Sequence, residues 1–184
     1  MKTYIVAITG ASGVIIGIRL IEELISRSLQ VLGIVTENAT RVIEHEIGRN
    51  VSLPVGARYF EADDAAAPMN SSSFRCEAMI IAPCSMKTLA NLASGAASNL
   101  VVRAAENQLR THRPLILMPR ETPLSLVQLQ NMVTLKMAGA IICPPMAGYY
   151  YHPQSIAEMT NFFVGKILDL LELPNELYRH WDGS

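Results

Sequence analysis

Apolar and polar positions fall into two alternating regimes along this chain. Short runs of β-branched and other apolar residues each end in a turn rich in small or hydroxyl residues, after which apolar residues recur at helical spacing. The first unit sets the pattern: Tyr4-Ile5-Val6-Ala7-Ile8 reads as a buried strand, Thr9-Gly10-Ala11-Ser12-Gly13 as a tight turn, and residues 14–24 as a helix. A second strand is expected at 30–36 and a helix from Ala39 to about Ile47, with mixed loop and a short strand over 48–67. Residues 78–83 predict a third buried strand, followed by a helix that stops near Gly95. Ser98 is the expected cap of the next helix, which carries Arg103, Glu106, Arg110 and Arg113. Residues 115–118 read as a strand, and Thr122 as cap with Pro123 in the first turn starts a helix that closes near Gly139. Residues 140–145 give the last strand. An aromatic loop over 146–154 leads to Ser155-x-x-Glu158, a capping box that opens the final helix, with Lys166 on it.

Strands alternating with helices throughout imply an α/β three-layer fold, Rossmann- or flavodoxin-like, with a mostly parallel sheet covered by helices on both faces. No repeat, low-complexity segment or linker divides the chain, so residues 1–184 are expected to form a single domain.

Composition changes this picture in one respect. Half of the 184 residues are hydrophobic and the mean hydropathy is +0.25, more apolar than a monomer of this size needs, so the excess is expected between subunits of an oligomer. A net charge of −1 gives no general attraction to nucleic acid or an acidic membrane surface. No apolar run reaches the length of a membrane span and no signal-peptide pattern opens the chain, so a cytoplasmic location is expected. Cys76, Cys84 and Cys143 show no metal-ligand spacing and read as small core or strand-end residues; Cys84 and Cys143 end apolar runs, where a place beside a ligand is open to them.

Candidate chemistry gathers at the strand ends. The 9–13 turn reads as a phosphate seat, because glycines let a backbone approach an anion and the first helix amides lack partners; a plain compact connection is the alternative. Gly10, Gly13 and Gly17 do not make the dinucleotide fingerprint, no Lys makes a P-loop, and Val14 breaks the nucleophile-elbow pattern. Glu37, at the end of the second strand, keeps a nicotinamide reading open beside that of a solvated charge. Of Glu44, His45 and Glu46, one acid is expected to point inward. The hydroxyl-rich stretch 63–73 is expected to pack poorly as core, as a linker or as a loop over a ligand. Ser85 and Thr88, where a strand tip meets a helix start, suggest a second anion or ring-edge site in preference to ordinary capping. Arg103 and Arg110 share a helix face, read as a solvated basic stripe. Arg120 and Glu121, side by side at a strand tip, are expensive to bury unless they serve each other or a ligand. Tyr149, Tyr150 and Tyr151 are hard to place in a core, and some are expected to face a ligand or a neighbouring subunit.

Five motifs stand in order: Thr9-Gly-Ala-Ser-Gly13, Ala82-Pro-Cys-Ser-Met-Lys-Thr88, Asn99-Leu-Val-Val-Arg-Ala-Ala105, Pro119-Arg-Glu-Thr-Pro123 and Tyr150-Tyr-His-Pro-Gln-Ser155. Together they resemble the UbiX-type flavin prenyltransferases over nearly the whole chain. The resemblance implies an enzyme that joins a dimethylallyl group from dimethylallyl monophosphate to N5 and C6 of reduced FMN, without a metal. It implies that a UbiD-type decarboxylase uses the prenylated FMN, and that the protein is a homododecamer of trimers with sites completed across subunits. By position it implies FMN contacts from Gly10, Ala11, Ser12, Thr36, Ser85, Met86, Lys87, Thr88 and Arg120. Prenyl-phosphate contacts would come from Arg103, Arg110, Arg120, Glu121, Tyr150 and Lys166, and catalytic groups from Ser12, Glu46 and Glu121. Where relatives often carry Lys, this chain has Arg110; where they carry Arg it has Lys166, and Ile16 and Ala65 replace frequent aromatics. Those exchanges leave the prenyl donor, monophosphate or diphosphate, open. Two other readings share the FMN motifs: an FMN-dependent cysteine decarboxylase, which relies on a His in an early loop where none of His45, His112, His152 or His180 stands, and a non-catalytic flavin carrier, which would not need the cationic cluster.

Overall fold

A computed structural model describes residues 2–181 and 183. Six strands, β1 (Thr3–Ile8), β2 (Gln30–Val35), β3 (Arg58–Glu61), β4 (Ala78–Cys84), β5 (Leu115–Pro119) and β6 (Ile141–Ile142), form one sheet in the order β3-β2-β1-β4-β5-β6. Every pairing is parallel. The central strands are buried on both sides, which is why they read as continuous apolar runs.

Alternate residues feed two cores. Ile5, Ala7, Met79, Ile81, Leu115 and Leu117 pack with α3 (Met86–Ala93), α4 (Leu100–Arg110) and α5 (Leu126–Met137). Tyr4, Val6, Ile8, Ile80 and Ile116 pack with α1 (Val14–Ser26), α2 (Glu37–Glu46) and α6 (Ile156–Leu170) on the other face. Gly17 lets α1 lie against the sheet: a Cβ there would stand 2.1 Å from the Ala82 carbonyl oxygen and 2.9 Å from Ile8 Cγ1. The order reverses between β1 and β4, whose following helices leave to opposite faces and open a crevice at the strand tips.

Several boundaries differ from the sequence-based expectation. Thr36 ends no strand; its hydroxyl accepts from the Ala39 amide and starts α2 two residues early. Asn99, not Ser98, caps α4, because its side chain reaches the Val102 amide while Ser98 Oγ is taken by Asn91 Nδ2. Thr122 donates its hydroxyl to the Glu121 carbonyl, and Ser125 starts α5 in a reciprocal capping box with Gln128. The final strand shrinks to Ile141–Ile142, since Pro144 and Pro145 have no amide to extend the ladder. Glu158, expected to close a box on Ser155, takes the Gln154 amide instead, while Ser155 accepts from Glu158 N. Most of the 63–73 stretch is exposed or half-buried, as expected of a segment that packs poorly as core, but Ala67 and Met69 anchor it there, and Asn107 Nδ2 holds the Met69 and Asn70 carbonyls, each at 3.0 Å.

Candidate active site

The crevice between β1 and β4 is held by Thr9, which is 1% exposed. Its hydroxyl donates to the Pro83 carbonyl and accepts from the Ser85 amide, both at 2.8 Å, so the two strand tips are locked together. Above them Gly13 takes a left-handed φ of 92° and caps α1. Its amide donates to both carboxylate oxygens of Glu46, at 3.0 and 3.3 Å. Glu44 and Glu46 are both exposed, so neither acid of α2 points into the core as expected; Glu46 instead turns along the surface to complement the positive end of α1. This amends the reading of the 9–13 turn as an anion seat: its Gly13 amide already serves the protein's own carboxylate, beside Ser12.

The open polar site lies at the same strand tips, reaching from that of β2 to that of β4. A cavity of about 240 Å³ is lined by Gly10, Thr36, Asn38, Ser85, Met86, Lys87, Thr88, Asn91 and Asn99. Ser85 does cap α3, accepting from the Thr88 amide at 3.2 Å, and its Oγ lies 3.0 Å from Thr88 Oγ1. Capping and ligand binding are compatible, because each hydroxyl keeps further lone pairs. Gly10 has no room for a side chain, since a Cβ would meet Asn38 Cβ at 2.6 Å. Hydroxyls, a helix N-terminus, the Lys87 ammonium and side-chain amides suit the phosphate and polyol of a flavin mononucleotide, so the donor set fits FMN. Asn99 opens one of the five motifs but was given no role, and Asn38 and Asn91 were not singled out in the sequence; only their proximity to expected contacts could have marked them.

A second cavity of about 290 Å³ adjoins the next strand tip, lined by Arg120, Glu121, Leu124, Leu129, Met132 and Met146 among others. Arg120 N donates to the Cys84 carbonyl at 3.3 Å, which ties the β5 tip to β4 and brings the two cavities alongside each other. Arg120 and Glu121 are exposed rather than buried and do not pair; Glu121 accepts from the Thr122 amide at 3.0 Å. Their charges stay available at the mouth of an apolar pocket. Cys84 lies beneath with its thiol pushed up to about 12 by burial, which keeps it protonated core material. Cys143 is half-buried, and burial raises its thiol although the Lys166 charge opposes this.

The tyrosine run divides. Tyr151 stacks on Phe162 at 5.0 Å and belongs with the packed rings, Tyr149 is exposed, and Tyr150 meets Tyr151 and Trp181 edge-on, both at 5.7 Å. Lys166 places its ammonium 4.6 Å from the Tyr178 ring centre and 5.4 Å from that of Phe162. Arg103 pairs with Glu106 at 3.4 Å and Arg110 bonds the Asn107 side chain. A single chain does not unite these cations. Arg103 and Arg110 are on α4 and Lys166 on α6, across the sheet, and Arg110 sits in the last turn of α4, about 10 Å further along the axis than Arg103. The larger hollow of about 490 Å³ at the opposite sheet edge, lined by Thr3, Arg75, Cys76, Glu77, Thr111 and Arg113, is structural in character: Arg113 there holds the Ser72 and Phe74 carbonyls.

Residues 1–170 match the family model described as Flavoprotein. The chain is 42% identical to the flavin prenyltransferase UbiX of Methanothermobacter thermautotrophicus, over 100% of this chain and 97% of that protein. The crystal structure of AnUbiX (PadA1), in complex with FMN and dimethylallyl pyrophosphate, superposes with a TM-score of 0.96 at 36% identity, covering 100% of this chain and 98% of the other. A dodecameric FMN-dependent UbiX-like decarboxylase from Escherichia coli O157:H7 gives a TM-score of 0.94 at 36% identity, covering 99% and 100%.

Proposed function

We propose, since the chain belongs to the UbiX/Pad1 family of FMN-binding flavoproteins, that it transfers a dimethylallyl group from dimethylallyl monophosphate to N5 and C6 of reduced FMN. The observation that carries this reading is the pairing of two cavities at one sheet edge: a polar one at the start of α3, and an apolar one with Arg120 and Glu121 at its mouth. When bound, reduced FMN supplies the electron-rich nitrogen and carbon that the prenyl group joins. Gly10, Ala11, Ser12, Thr36, Ser85, Met86, Lys87, Thr88 and Arg120 hold it.

The remaining residues act on the donor. An allylic phosphate leaves with growing negative charge, which Arg103, Arg110, Arg120 and Lys166 stabilise through charge-assisted hydrogen bonds. Tyr150 offers a π face to the allylic carbon as positive charge develops there and keeps water from it. Glu121, whose carboxylate pairs with no cation among the described residues, takes or passes the phosphate's proton. Glu46, anchored on the Gly13 amide beside Ser12, handles protons on the flavin side with that hydroxyl.

Because α4 and α6 lie on opposite faces of the sheet, the full cationic set forms where copies of the chain meet, in a homododecamer of trimers. Support comes from α5, which leaves Leu126, Val127, Val133 and Met137 exposed, and from the dodecameric Escherichia coli relative. The product passes to a UbiD-type decarboxylase.

Anaerobic incubation with reduced FMN and dimethylallyl monophosphate, followed by mass measurement of the extracted flavin, tests the reading. The flavin gains one five-carbon unit, and Glu121→Gln lowers kcat by about a hundredfold, as loss of a proton-transfer group does. Unmodified flavin from FMN-loaded protein with both the monophosphate and the diphosphate overturns the proposal.

A further inference from the structure

The segment after α6 supplies none of the groups assigned above, yet it is fastened beside them. Tyr178 is buried and its hydroxyl donates to Asp169 in the last turn of α6. The same carboxylate accepts from Asn175 Nδ2 at 2.8 Å and lies 3.3 Å from His180 Nε2. Burial alone would raise the Asp169 carboxyl, but the hydrogen bonds from Tyr178, His180 and Asn175 together hold it below the ordinary 3.8. Gly165 makes the docking possible, since a Cβ there would stand 2.5 Å from Tyr178 Cδ1. The tail then runs on until Trp181 meets the ring of Tyr150.

Lys166 stands three residues before Asp169 on the same helix, a spacing at which opposite charges ordinarily pair. Here they do not: among the described residues no carboxylate lies within ion-pair distance of Lys166, and Asp169 is occupied by donors from the tail. Lys166 is half-buried and its ammonium rests on the Tyr178 and Phe162 rings, which attract a cation without neutralising it. A partly desolvated cation held this way is available to an external anion.

We infer that Tyr178 is a positioning residue for Lys166: its hydroxyl occupies Asp169 and its ring seats the ammonium, so that the cation is kept free for the phosphate of the prenyl donor. The inference rests on the proposed assignment of Lys166 to that phosphate. Its signature is a rescue. In Tyr178→Phe the ring remains but Asp169 loses a donor and competes for Lys166; adding Asp169→Asn removes the competing charge and returns the lysine to the donor.

The experiment uses FMN-loaded full-length protein and two readouts, KM for dimethylallyl monophosphate and the calorimetric Kd of inorganic phosphate. Tyr178→Phe weakens both by about tenfold, the loss of one charge-assisted contact. Its kcat stays within about threefold of the parent, as expected when binding rather than chemistry suffers. The Tyr178→Phe/Asp169→Asn double variant returns to within about threefold of the parent, and in a Lys166→Ala background neither change has an effect. A tail that is merely structural gives the opposite result, with the second substitution adding to the loss. Parent-like behaviour of Tyr178→Phe, or failure of Asp169→Asn to restore it, overturns the inference. If the parent protein makes no prenylated flavin, the proposed reaction fails while the phosphate titration still decides the role of Tyr178. If phosphate also fails to bind the parent, both fall.

Discussion

The β1–β4 crevice and the β5–β6 flank are built to different standards of completion. In the crevice the strand and helix ends are tied by bonds within the chain: Thr9 bridges Pro83 and Ser85, Glu46 caps the Gly13 amide, and Ser85 caps α3. The flank leaves its groups open. Arg120 and Glu121 stand exposed at a strand tip, β6 is a two-residue edge strand, and α5 is apolar on its solvent side as well as toward the core. A half that is satisfied internally can hold a ligand as a single chain, whereas a half that exposes charge and apolar surface together needs another molecule to finish it. The proposed division of labour follows, with FMN held by the crevice and the prenyl phosphate served by a flank completed between copies.

Gly17→Ala tests the rigid half most severely. Its new methyl meets the Ala82 backbone oxygen first, which cannot move aside as the Ile8 side chain can, so the subunit loses about 3 kcal/mol in urea denaturation, the upper range for overpacking. Thr9→Val keeps the shape but strands the half-buried Ser85 amide and leaves the Pro83 carbonyl only the Thr9 amide at 3.3 Å; about 1 kcal/mol is lost, with weaker FMN retention on gel filtration. On the flank, Val133→Asp combined with Met137→Glu leaves the circular dichroism spectrum unchanged, and light scattering reports a smaller assembly. An unchanged assembly mass would show that α5 faces solvent in the native protein, and the contrast between the halves would lose its main support. The smallest effect is a chemical one. At pH 9, where an ordinary thiol is half ionised, Cys84 stays protonated with its value near 12, and native protein treated with iodoacetamide carries no label there until it is unfolded.

Much of the fold was legible in the sequence, because both faces of the central strands are buried and their apolar runs need no partner to be recognised. Helix starts were harder. Ser98 and Asn99 are both good caps, and the choice was made by Asn91, which engages Ser98 from the preceding helix. Thr122 and Ser125 posed the same problem, settled by the Gln128 side chain that completes the box on Ser125. Met69 lies in a stretch expected to pack poorly as core, yet Asn107, on a helix formed later in the chain, holds its carbonyl and the side chain is buried. At the site, the polar residues of the crevice could be named from local patterns and resemblance. The bond from Gly13 to Glu46 spans 33 positions and leaves no local trace. The separation of Arg110 from Lys166 follows from which face each crossover takes, a property of topology that helical spacing does not carry.

The exposed apolar helix also has a consequence for synthesis. Strands β1 to β5 all precede α5 in the chain, so when residues 126–137 leave the ribosome the strands that form the two cores have already been made. At ordinary elongation rates of about 5–20 residues per second, β6 and α6 follow within seconds. The apolar face of α5 is thus exposed only after the central strands are made, while α6, which brings Val164, Ile167 and Leu168 to the second core, is still to come.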